Sequence, residues 1–241
     1  MTTSRISCVL LTALSLKHLP WHVIRSYRPN WHSIWSGLRV ARPFMLTALS
    51  ALTLSYFDRF IIEVYLGREV LGVYTFYSTV AIGILSLGAS ISHQFLPKVI
   101  AGYAAGATEF RRVLRTYAFS LGAVGSGVVL VCALAIWPAL MLLKLQAFSL
   151  GLPAFYIMLV GTLIRILADV PSYALYAAHA DNVLLGCNLA AAAVSILVNV
   201  ILISPLGLVG AACANVMASL VLLLALGYFA WGRRRAAPMK K

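Results

Sequence analysis

The sequence predicts an all-α integral membrane protein that crosses the bilayer about six times. Three observations carry that expectation. First, 62% of the 241 residues are hydrophobic and only 10% are charged, whereas soluble chains have about half apolar and about a quarter charged residues. Second, residues 121–134, 190–203 and 206–228 contain no charge at all, and a helix needs ~20 such residues to cross the hydrocarbon. Third, these runs are solidly apolar, without the in-out alternation of a membrane barrel.

Residues 1–42 are mixed. The apolar stretch 6–16 is about half a span long. It reads as the truncated end of a preceding helix. A signal peptide is the competing reading, but Lys17, His18 and Pro20 follow in place of a small-residue cleavage site. Trp21, Trp31 and Trp35, interleaved with Arg25, Arg28 and Arg39, suit a cytoplasmic segment lying at headgroup level. Six spans follow, near 43–66, 70–92, 113–134, 152–176, 184–203 and 207–229. Residues 43–231 thus form a six-helix lobe, and 232–241 form a basic tail. Residues 67–69 read as a tight turn, 97–112 as a polar, basic loop, and Ser204-Pro205 as the break between the last two spans.

The net charge of +13 is distributed as a topology signal. With the N-terminal segment inside, the inner regions hold Arg5 to Arg42, then Lys98, Arg111, Arg112 and Arg115, then Arg233 to Arg235, Lys240 and Lys241. The outer turns keep only Arg68 and Lys144. Lys and Arg stay on the cytoplasmic side, so both termini are expected there, in a cytoplasmic (inner) membrane. No nucleic-acid motif accompanies the charge, and no nucleic-acid partner is expected. Cys8, Cys132, Cys187 and Cys213 form no CxxC pair and sit in apolar stretches, as small buried hydrophobes do. The histidines lack metal-ligand spacing, and neither GxSxG nor a Walker loop is present. No catalytic residue, metal or cofactor is expected.

Five charges fall inside the expected spans: Asp58, Arg59 and Glu63 in the first, Arg165 and Asp169 in the fourth. Each charge near the bilayer centre costs about 3 kcal/mol on insertion scales, so it needs a partner or a wet cavity. Arg59–Glu63 and Arg165–Asp169 are each four residues apart and can pair along one helix face. Self-paired structural charges are one reading, and the wall of a polar cavity is the other. Asp58 has no partner on its own helix, which favours the cavity. Pro171 should kink the fourth span. Gly122, Gly125 and Gly127 offer a small-residue face for close helix packing.

Four stretches resemble the polysaccharide (O-antigen, Wzx-type) flippases of the multidrug/oligosaccharidyl-lipid/polysaccharide exporter superfamily. They are FDRFIIEVYLGREVLGVY (57–74), HQFLPKVI (93–100), RILADVPSYALYA (165–177) and SPLGLVGAACAN (204–215). Their order and spacing are similar to the second half of such a protein, over about residues 40–228. The resemblance implies one of two lobes around a central cavity, moving a lipid-diphosphate-linked oligosaccharide between leaflets by alternating access. It implies substrate binding by cavity charges Arg59, Arg165 and Asp58, with Glu63 and Asp169 as structural or coupling charges. A proton or sodium gradient would drive it without hydrolysis. The second lobe, either an N-terminal half or another copy, is the implied protein partner beside membrane lipids. A drug or cation exporter of the same superfamily and a non-transporting subunit of a polysaccharide assembly complex are the alternatives.

The charge distribution makes a direct test. Cysteines introduced at Arg68 and Arg111, in a background without native cysteines, should label from opposite sides of the membrane. Arg68→Cys should react with an impermeant thiol reagent in intact cells and Arg111→Cys only after lysis. The same sidedness for both would contradict the six-span topology.

Overall fold

The structure, a computed structural model, describes residues 31–144 and 146–236. The expected helix remnant at 6–16, the following segment to residue 30 and the end of the basic tail lie outside the described residues. What is described is helical nearly throughout. Its order is α1 (Trp31–Leu66), α2 (Arg68–Ala105), α3 (Ala107–Leu142), a 3-10 turn η1 (Gln146–Gly151), α4 (Leu152–Leu167), α5 (Asp169–Ala177) and α6 (Asp181–Ala236). No strand occurs among the described residues. Hydrocarbon offers backbone N–H and C=O groups no partner, so each apolar run satisfies them within its own helix. The chain divides into two units after Arg42. In the first, Trp31 and Trp35 are exposed; everything below concerns the unit that begins at Pro43.

Four helical stretches are long and apolar enough to cross a membrane: Arg68–Ala105, Ala107–Leu142, Phe148–Ala177 and Asp181–Gly232. The last is 52 residues, about 78 Å if straight, more than twice the hydrocarbon thickness of about 30 Å. It is not straight. Gly207 has φ 57° and ψ −131°, outside helical geometry. Leu184, Cys187 and Ala191 before the break share one buried cluster with Ala218, Leu222 and Leu226 after it. The helix therefore folds back into two antiparallel arms and supplies two crossings. With α1, which is not among those four and whose C-terminal part carries Asp58, Arg59 and Glu63, the lobe has six helical segments.

α4 is the central strut. Phe155, Met158, Leu159 and Ile166 on it are buried. A side chain at Gly88 of α2 would meet Ile166 at 3.1 Å, and one at Gly125 of α3 would meet Leu163 at 3.4 Å. On its other side Gly161 faces Asn215, 2.6 Å from where a Cβ would stand, so α4 and the second arm of α6 approach closely. Small residues let helices approach in a medium that supplies no hydrophobic drive. Gly122 also faces Leu167, at 3.7 Å, but nothing lies within 4 Å of a Cβ at Gly127. The expected glycine face is thus two residues wide.

Three other boundaries differ from the sequence reading. The expected 97–112 loop is mostly helix: α2 runs to Ala105 with Pro97 inside it, and only Gly106 separates it from α3. Phe95 stacks on Tyr117 and Tyr103 meets Phe110 edge-on, both at 5.2 Å, and these contacts hold the two helices together up to the Gly106 turn. The fourth span is only slightly disturbed at Ala168, three residues before Pro171, where the angles stay helical, φ −65° and ψ −18°. A proline ring crowds the carbonyl four residues earlier, here Leu167, so the disturbance sits upstream of the proline itself. The last two spans divide at Gly207 instead of at Ser204-Pro205, and Pro205 remains helical.

Gly207→Ala should cost about 1–3 kcal/mol, because an L residue is strained at that backbone geometry. Gly186→Ala, at a helical site with nothing within 4 Å of the new methyl, should leave stability unchanged or raise it by up to ~1 kcal/mol. Thermal unfolding of the two purified variants in one detergent would check both.

Candidate functional site

The charges of the expected spans fall into two groups at different levels along α2, here called outer and inner after the expected topology. The outer group ties α1 to α2. Asp58 is buried and accepts hydrogen bonds from the Tyr74 hydroxyl and, at 2.8 Å, from the Arg59 backbone N–H. Arg59 Nη2 donates to Ser78 Oγ at 2.9 Å, and its guanidinium lies 5.1 Å from the centre of the Tyr56 ring. The expected Arg59–Glu63 pair does not form. Glu63 accepts instead from Arg68 Nε at 3.2 Å, a pair whose side chains are 43% and 89% exposed and which adds little stability in water. Helix spacing permitted the first pair. The guanidinium turns inward to Ser78 and Tyr56, leaving Glu63 at the helix end beside the turn.

Ser92 organises the inner group. Its Oγ accepts from the Tyr117 hydroxyl at 2.8 Å and lies 2.9 Å from the Gly88 carbonyl and 3.2 Å from Asp169 Oδ2. One hydroxyl hydrogen serves these last two acceptors in turn. The Tyr117 and Tyr173 rings are 5.9 Å apart. Arg165 and Asp169 lie one turn apart without a close ion pair. Among the described residues the ion pairs within 4.0 Å are Glu63–Arg68 and Glu109–Arg112. Ala168, between them, keeps helical angles, φ −65° and ψ −18°, so the one-turn spacing is preserved and the two side chains simply do not meet. Arg165 Nη1 and Arg59 Nε are buried with no hydrogen-bond partner among the described residues.

Ser78 and Ser92, which mark the two groups on α2, are fourteen residues apart, about 21 Å along the axis. The structure therefore does not bring Arg59 and Arg165 together. A cavity of about 290 Å³ does lie in the lobe, and its wall contains none of Asp58, Arg59, Glu63, Arg165 or Asp169. Thr47 of α1, His93 and Leu96 of α2, and Tyr173 of α5 form much of it. Asp181 and Asn188 of α6 complete it. The middle of α1, the start of α6 and the later parts of α2 and α5 meet there, which puts it away from the Gly67 turn. Asp181 is not among the charges that the sequence singles out, because it lies outside the expected spans. The available signal was the content of two of the four quoted stretches: HQFLPKVI carries His93, and RILADVPSYALYA carries Ser172, Tyr173 and Tyr176. No group of three or more His, Cys, Asp or Glu residues able to hold a metal occurs among the described residues.

The arrangement of six helical segments can now be compared with known proteins. It is similar to the solved outward-facing structure of a multidrug resistance MATE family transporter of the MOP superfamily. The TM-score is 0.74 over 90% of this chain and 50% of that one, at 14% sequence identity. The chain has the fold of half of that transporter. It spans about half of that protein's length, as the resemblance to one lobe of an exporter implied. No family model matches the chain, and no curated protein matches it. At 14% identity the likeness is one of fold.

The outer charge group is testable by stability. Tyr74→Phe deprives buried Asp58 of a donor and should destabilise the lobe by about 1–3 kcal/mol. Tyr74→Phe/Asp58→Leu should recover most of that loss, because the Asp58 carboxylate is then no longer buried with too few donors. Thermal unfolding in detergent reads both, and equal loss in the single and double variants would show that the pair contributes by packing alone.

Proposed function

We propose that the chain is one lobe of a flippase that carries lipid-diphosphate-linked oligosaccharide from the inner to the outer leaflet of the cytoplasmic membrane by alternating access. A second lobe, another copy or a separate N-terminal half, completes it. The observation that carries this reading is the pair of guanidinium groups inside the lobe, Arg59 and Arg165, each keeping a buried N–H without a protein partner among the described residues. A buried donor left unpaired is costly, and a charged one more so. An anionic diphosphate that visits this interior satisfies such donors, and a guanidinium can hold two of its oxygens at once. The basic excess of the chain, 19 Lys and Arg against 6 Asp and Glu, has the same sign. With both termini cytoplasmic, the basic ends of α2 and α3 face the leaflet in which such a substrate is assembled.

A drug or cation exporter is the second reading. Two carboxylates inside the lobe, Asp58 and Asp169, and the multidrug transporter of the same fold favour it. The two differ in what accumulates on deletion: lipid-linked precursor in the inner leaflet for the flippase, and toxic cations in the cytoplasm for the exporter.

Arg165 tests the flippase reading. In the native host Arg165→Ala should abolish surface glycan at unchanged protein abundance, and Arg165→Lys should restore only part of it, because a point charge holds two oxygens less well. Arg165→Ala/Asp169→Ala should remain inactive. Normal export by that double variant would make Arg165 a packing charge and remove the substrate role assigned to it.

A further inference from the structure

We infer that the cavity away from the Gly67 turn is a saccharide subsite, holding one neutral sugar ring of the transported lipid-linked oligosaccharide; the inference rests on the flippase reading. The cavity has its own chemistry, different from that of the buried arginines. Its wall carries the carboxylate of Asp181 and no Lys or Arg, so it repels a diphosphate. Asp181, Asn188 and His93 are set there among mostly apolar surface, the mixed lining that an amphipathic ring suits. A polyol gives each of these groups a partner. Its hydroxyls donate to the Asp181 carboxylate and to the Asn188 carbonyl, and they can donate to or accept from the His93 imidazole. One Asn188 amide hydrogen is already committed to the Leu184 carbonyl at 2.8 Å, which fixes the amide in place. Tyr173 and Tyr176 supply aromatic rings on the same wall. The C–H face of a pyranose is weakly positive and suits the negative face of such a ring.

Size and position agree with that chemistry. At about 290 Å³ the cavity sits at the bottom of the range of ligand pockets, about 300–1,000 Å³. That volume accommodates a single sugar ring. Tyr173 is eight residues beyond Arg165, about 12 Å along a helix. A diphosphate at Arg165 and the sugar attached to it can therefore be engaged together. Tyr173 also joins the two places physically, because its ring lies against Tyr117, whose hydroxyl reaches Ser92 beside Asp169.

Cysteine protection tests the subsite. Ser172→Cys, in the full chain without native cysteines, is labelled with a small thiol reagent in inside-out membrane vesicles. Thr47→Cys on the opposite wall serves if Ser172→Cys does not accumulate. The probes are a panel of neutral hexoses and N-acetylhexosamines at millimolar concentration, inorganic diphosphate, and tetraphenylphosphonium. At least one neutral sugar should slow labelling, diphosphate and the phosphonium should not, and adding Asp181→Ala should weaken the protecting sugar's effect about tenfold, the loss of one charge-assisted hydrogen bond. Protection by none of the sugars overturns the inference. So does sugar protection that survives both Asp181→Ala and Asn188→Leu. If the sugars fail while Arg165→Ala still abolishes glycan export, the flippase reading stands and the subsite alone is wrong. Protection by tetraphenylphosphonium alone overturns the subsite and favours the cation exporter.

Discussion

Ile166 lies with Gly88 of α2 on one side and Gly125 of α3 on the other, and this three-helix contact fixes the lobe around α4. In lipid, apolar side chains gain nothing by leaving solvent for a neighbouring helix, so close fit must do the work. A methyl at Gly88 would stand 3.1 Å from Ile166, and anything larger would drive α2 away. If α2 moves, Ser92 moves with it, and the hydrogen bonds that join Tyr117 and Asp169 through Ser92 are lost. The polar interior is therefore subordinate to the packing. Charges that are costly in hydrocarbon persist because rigid apolar contacts hold their partners at hydrogen-bonding distance.

The apolar passes were legible because a run without charge admits few alternatives in a membrane. The fold-back at Gly207 was legible to within three residues of Ser204-Pro205, since Pro and Gly mark a break without saying which of them takes it. Less could be read of the ends of α2 and α3. The polar, basic composition of 97–112 records where the chain leaves hydrocarbon, and that is a different event from where a helix stops. Phe95, Val99 and Tyr117 pack across the hairpin and hold its helices together, and no local pattern reveals such a contact.

The candidate site shows the same division. All five intramembrane charges are visible in the sequence, because charge in an apolar run is conspicuous. Their partners are not. Spacing of four residues proposed Glu63 for Arg59 and Arg165 for Asp169, whereas the folded chain brings Ser78 to the first and Ser92 to the second, from a different helix. Hydroxyls are common in membrane helices and advertise nothing. The cavity was hidden for a further reason. Its wall is assembled from four helices, and a residue such as Asp181, one step past a turn, looks like any other surface carboxylate until those helices are placed together.

The turns at Gly67 and Gly106 are one residue each, and both glycines have positive φ, 83° and 117°. Connections this short store no slack. A helix joined to its neighbour by one residue cannot slide, swing out or lengthen its stroke while the neighbour stays still. Whatever displacement the lobe undergoes must pass through α1, α2 and α3 as through the arms of a clamp. Within a helix the backbone leaves helical angles at Gly207, so that bend lies outside these three arms, which form a stiff frame of their own.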